Sequence, residues 1–138
     1  MPVNRKHVEV IKSALRKHAK SYSQNTFGRY NPECGTVMCI AGFCRVEEVG
    51  LKQFRKEIRL DATCDFDLDE ACLGSAMKFL GLKAEGVIFE GVSKWPDDLY
   101  EAYKTATSYK ERAEVACQAL DRLNVDGSIK ELRRKKTP

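Results

Sequence analysis

The sequence is short of most features that would assign it a class at once. It has four prolines and nine glycines in 138 residues, which excludes collagenous or proline-rich disordered character. No apolar run reaches the roughly 18 residues of a membrane span, and MPVNRKHVEV lacks the apolar stretch of a signal peptide. These absences set the expectation of a cytoplasmic, membrane-free protein. No P-loop, GxGxxG, HExxH or GxSxG is present, and no CxxC pair. Nor is there a zinc finger, an aromatic RNP motif or a GXXG loop. An enzyme is therefore the minority reading. Apolar residues at 43% and charged residues at 32% describe an ordinary domain able to bury its own core without a staple.

Charge is present in both signs but unevenly placed. Residues 4–22 balance at +5, residues 128–138 at +4, and residues 23–127 at −5. Basic ends on an acidic body suit an acidic protein partner or nucleic acid. The residues that would make such contacts are Arg5, Lys12 and Arg16 on the first helix, and Arg133, Arg134, Lys135 and Lys136 in a basic tail over 130–138. The simplest reading of that tail is a solvated, disordered segment.

Spacing predicts helices. Val8, Ile11, Leu15, Ala19 and Tyr22 form one apolar stripe behind an Asn4 N-cap, although Arg5 and Lys6 oppose the macrodipole and predict a frayed start. Residues 23–36 read as a polar loop anchored by Phe27 and Tyr30. A helix capped by Thr36 then runs to Gly50, apolar nearly all round for two turns and so expected at the centre. A shorter amphipathic piece carries Leu51, Phe54 and Ile58. Asp67 with Glu70 opens a helix from Leu68 to Leu80, stopped by Gly81. Residues 82–94 are a short helix or a connector. Pro96 begins another helix, and the Ser108–Glu111 capping box opens the last one. Nothing alternates at period two. The expectation is an all-α fold, a single domain of five or six helices.

Three accounts compete for Cys34, Cys39, Cys44, Cys64, Cys72 and Cys117. Disulfides lack an export signal to support them. Zinc lacks the usual paired spacing, with Cys34 and Cys39 as its candidates. The third account, favoured for Cys44, Cys72 and Cys117, is small core residues on helical stripes. Cys34 stands before a predicted helix start and Cys39 in its first turn, where unpaired amides favour a thiolate. A nucleophile there would need His7 or His18 as base. Those two histidines lie about 16 Å apart along a helix and cannot share a metal, so both read as solvated. The acidic run from Asp61 to Glu70 misses the glycine and the bidentate glutamate of a calcium loop, and capping explains it.

The stretch NTFGRYNPECGTVMCIAGFC resembles the signature of a group of small bacterial and phage proteins. The pattern is Cys-Gly-Thr-x-x-Cys-x-Ala-Gly-aromatic, carried here by Cys34, Gly35, Thr36, Cys39, Ala41, Gly42 and Phe43. Phe43 stands where the group has Trp. Downstream, FLGLKAEGVIFEG, Trp95-Pro96, Tyr103 and Arg112-Ala113 are similar to its second half, with Gly86 in place of a helix former. The resemblance spans about residues 24–123. It implies a helical fold and a bacterial or phage origin and supplies no activity. The leading expectation is a non-enzymatic protein-interaction module, a phage- or mobile-element-encoded modulator of a host protein. The alternative is a nucleic-acid accessory protein using the basic ends, and the third is a thiol or zinc protein. Oligomeric state stays open.

Overall fold

Chain order is set by caps and glycines. The computed structural model describes residues 2–32 and 35–132. α1 spans Arg5–Lys17 and a 3-10 turn Ala19–Ser21 follows. β1 (Arg29–Asn31) and β2 (Gly35–Val37) come next, then α2 (Ile40–Val49), α3 (Leu51–Ala62) and α4 (Leu68–Leu80). Two 3-10 turns, Val87–Phe89 and Val92–Lys94, lead to α5 (Asp97–Thr105) and α6 (Tyr109–Asp121). The architecture is mostly helical around one continuous core, with α2 packed chiefly on α4 and α1 on α6.

Three of the predicted N-caps are present. Asn4 accepts from the His7 amide, Asp67 from Glu70 and Ser108 from Glu111. Gly81 is left-handed at φ +72 where α4 stops. The central place expected for α2 also holds, since Ile40, Ala41 and Cys44 are completely buried. Gly42 is required there: a Cβ would lie 2.4 Å from the Phe27 carbonyl oxygen and 2.5 Å from Met38 Cβ. Gly86 is required in the same way, because its backbone runs directly against that of Gly127. The connector 82–94 therefore forms two 3-10 turns rather than a helix.

Two expectations are corrected. The fold is not purely helical, because β1 and β2 pair antiparallel with Arg29 opposite Val37, Tyr30 opposite Thr36 and Asn31 opposite Gly35. Strands of three residues are too short to show a period-two pattern, and their polar composition reads as loop. The central helix also starts later than Thr36. The amide of Met38 donates to Ser21 O at 2.8 Å, Ser23 to Met38 O at 2.9 Å, and Cys39 to Thr26 O at 2.8 Å. That ladder holds residues 35–39 extended, so Cys39 becomes the N-cap.

Helices α2, α3 and α4 meet at a buried ion pair. Arg45 donates Nε–H to Glu57 Oε1 at 2.8 Å and an Nη2 hydrogen to Oε2 at 2.7 Å. Its other terminal nitrogen reaches Ser75 Oγ at 3.1 Å, and Gln53 adds a hydrogen bond to Glu57. Glu57 is only 2% exposed. Burial pushes its carboxyl up, but the hydrogen bonds from Arg45 and Gln53 and the guanidinium charge outweigh burial and hold it below the ordinary carboxylate range. Arg45→Ala leaves that carboxylate unpaired and should cost about 3 kcal/mol in urea unfolding, whereas the double change Arg45→Met with Glu57→Leu should cost less. Because the folded pKa is depressed, the pair stabilises above the ordinary carboxylate pKa and its contribution fades as pH falls through the depressed value. Glu57→Gln should accordingly show a shallower fall of Tm on acidification than the parent chain.

Candidate functional site

The cations expected to contact a partner from α1 are engaged by α6. Arg5 donates to the carbonyls of Leu120, Asp121 and Leu123 at 3.2, 3.3 and 2.8 Å, which caps the negative end of that helix. Lys12 is 8% exposed and lies 2.7 Å from Asp121 and 3.2 Å from Glu9. The hydrogen bond to Asp121 raises its pKa against the opposing effect of burial. Arg16 pairs with Glu114 at 2.6 Å on a half-exposed seam. Arg5 thus stitches α1 to α6 instead of fraying it. The sequence held a signal for this seam: Glu114 and Asp121 are seven residues apart on one face of α6. Arg133, Arg134, Lys135 and Lys136 lie outside the described residues, as does Cys34.

The motif residues serve packing. Gly35 takes φ +78 at the hairpin, Thr36 is buried and accepts from Arg55 Nε at 3.1 Å, and Ala41 and Gly42 are buried in α2. Trp95 is buried, donates Nε1–H to Val87 O at 2.9 Å, and meets Tyr103 edge-on, while Pro96 N-caps α5. Cys39 departs from expectation. The amides of Gly42 and Ala41 favour a thiolate, yet burial dominates and pushes the thiol up to about 11. His7 is not solvated, since its Nδ1 donates to Phe79 O at 2.6 Å and its ring stacks on Phe79. His18 is exposed. Among the described residues, no group of three or more His, Cys, Asp or Glu is placed to hold a metal ion. Asp61 accepts from the Leu68 amide and Asp65 from Thr63 Oγ1, so the acidic run serves local turns.

A furrow lies between α1, α2, α3 and the hairpin, and sequence reasoning missed it. One part, about 490 Å³, has an apolar floor of Ala14, Met38, Phe43 and Val46. It adjoins a second, about 470 Å³, beside Tyr30, Ile58 and Arg59. Thr36 and Arg55 line both. Val10 and Leu51 edge the first part at 38% exposure each, and Tyr30 edges the second at 71%, so Tyr30 faces outward rather than anchoring a loop. Among the described residues, the lining carries Lys17, His18, Arg55 and Arg59 against one carboxylate, Glu47. The furrow was illegible because it assembles side chains more than 40 residues apart and depends on the unrecognised hairpin. Comparison with protein-family signatures, curated proteins and solved structures finds no match.

The cysteines divide by burial. Cys39, Cys44, Cys72 and Cys117 are buried and their thiols are all pushed up, Cys117 to about 11, while Cys64 is exposed. Iodoacetamide applied to the folded chain, with peptide mapping by mass spectrometry, should label Cys64 and spare these four until denaturant is added. Rapid labelling of native Cys39 would contradict the buried-cap geometry.

Proposed function

We propose that the protein is a non-enzymatic interaction module whose furrow seats an acidic segment with an apolar face from a partner protein. One observation carries this reading: two adjoining cavities, the first with an apolar floor, rimmed among the described residues by three permanent cations and one carboxylate. Apolar floor and polar rim are the anatomy of a protein interface, and a helix or strand with one apolar face fits such a groove. The excess of cations selects acid on the incoming segment and speeds its encounter. On this reading the chain is a modulator of a host protein, in keeping with the bacterial or phage origin that its Cys-Gly-Thr segment suggests.

The test compares affinity capture from bacterial lysate by the parent chain, Leu51→Glu and Arg55→Glu, each with and without nuclease. Leu51 and Arg55 are exposed, so both variants should keep the parent's Tm within about 1 kcal/mol of stability. A stoichiometric protein retained after nuclease and lost by both variants is the expected result. Capture indifferent to both substitutions, or no discrete protein at all, overturns the proposal. Recovery that vanishes with nuclease, and falls steeply with salt, moves the function to nucleic acid.

A further inference from the structure

The two faces of the hairpin open on different cavities. Tyr30 and Thr36 face each other across the strands and line the furrow. Arg29, Asn31 and Val37, one step out of phase, line a separate pocket of about 340 Å³. Lys20 enters it from the 3-10 turn after α1, and Tyr109 and Arg112 from the first turns of α6. Tyr103 of α5 closes another wall. Three cations, two from residues 20–29 and one from α6, therefore share one concavity.

Among the described residues, no carboxylate lines it. Elsewhere Lys12, Arg16, Arg45 and Arg122 each form a salt bridge, whereas Lys20, Arg29 and Arg112 form none among the described residues, although the charge of Arg112 helps to lower the Glu111 pKa. Glu111, on the same stretch of α6, is taken up by the amide and hydroxyl of Thr107. The other polar walls are neutral. Tyr22 is held protonated chiefly by burial and donates to Gln24, whose amide is fixed by the carbonyls of Ile88 and Glu90. Arg112 lies 5.4 Å from the Tyr109 ring centre and reaches Ala106 O at 3.4 Å, which steadies the guanidinium on one side of the pocket.

We infer that this pocket, bounded by Lys20, Arg29 and Arg112, is a binding site for a small phosphate-bearing ligand, a phosphomonoester or free phosphate. Three like charges in a concave site repel one another, and a compact dianion converts that repulsion into charge-assisted hydrogen bonds. Two arginines supply planar donor forks suited to phosphate oxygens, and the lysine adds a point charge. The volume sits at the lower end of small-ligand pockets and matches a monoester rather than a polymer.

Titration of the full chain with inorganic phosphate and with phenyl phosphate tests this, followed by amide NMR at ionic strength held constant with chloride. Saturable binding is expected at or below about 1 mM, with shifts concentrated at residues 20–31 and 109–112. Arg29→Gln and Arg112→Gln should each weaken it about tenfold. Lys56→Gln, which changes net charge equally but lies exposed on α3 outside the pocket, should leave it unchanged. Tighter binding of phenyl phosphate identifies a monoester site, and equal binding identifies a free-phosphate site. Arg29 is exposed, so loss in that variant reports the site rather than unfolding. Non-saturating shifts, or equal weakening by Lys56→Gln, overturn the inference, as does binding only to a single-stranded oligonucleotide. Because the furrow variants leave this pocket intact, failure of either assignment leaves the other standing.

Discussion

The ladder joining residues 21–26 to residues 38 and 39 is the constraint on which both cavities depend. Three backbone hydrogen bonds hold the chain extended up to Cys39, so the apolar helix α2 can begin only at Ile40. Had helix started at Thr36, that residue and Val37 would have lain on α2 and no second strand would exist. The ladder sits where the side chain of Gly42 is missing, with Phe27 O filling the space a Cβ would need. A packing feature of the central helix thus fixes the base of the hairpin. The burial that makes α2 central makes the hairpin possible.

A two-stranded hairpin has little stability alone, and this one has three residues a strand. Its role is partition. Alternation sends Tyr30 and Thr36 to one side and Arg29, Asn31 and Val37 to the other, so a single ribbon contributes to two walls of opposite character. The furrow side has an apolar floor with Arg55 bridging to Thr36. The other side is polar and cationic. A one-residue slip in register would exchange Tyr30 for Arg29 and degrade both.

Much of the helical framework was legible in the sequence because local chemistry specifies helix ends. Asp67 with Glu70 and Ser108 with Glu111 set starts that the structure reproduces, and Gly50 and Gly81 set stops. The hairpin was not legible, since its cause is a long-range ladder and a helix glycine, neither of which leaves a periodic trace. The role of α1 was half legible. Its cations stood out, but their partners lie about 100 residues away, and counting charge within a segment cannot show where that charge is neutralised. Cys39 illustrates the same limit: a helix N-terminus favours a thiolate locally, yet burial supplied by other elements decides its state.

Net charge is therefore a poor guide to where this molecule could act. Of the six cations over residues 4–22, Arg5, Lys12 and Arg16 are satisfied by α6 through its terminal carbonyls, Asp121 and Glu114. Neutralised in place, those cations stabilise the α1–α6 seam and attract little from solution. The middle of the chain carries a net negative balance, yet it holds Arg29, Arg55, Arg59 and Arg112, which form no salt bridge among the described residues. All four lie in or beside the two cavities that the hairpin divides. Since paired charges in contact cancel beyond a few ångströms while unpaired ones in a concave, low-dielectric wall reinforce, these four contribute more to the field in the cavities than the paired cations do. On the proposed reading, recognition concentrates around the hairpin, since Arg5, Lys12 and Arg16 of α1 are already engaged by α6.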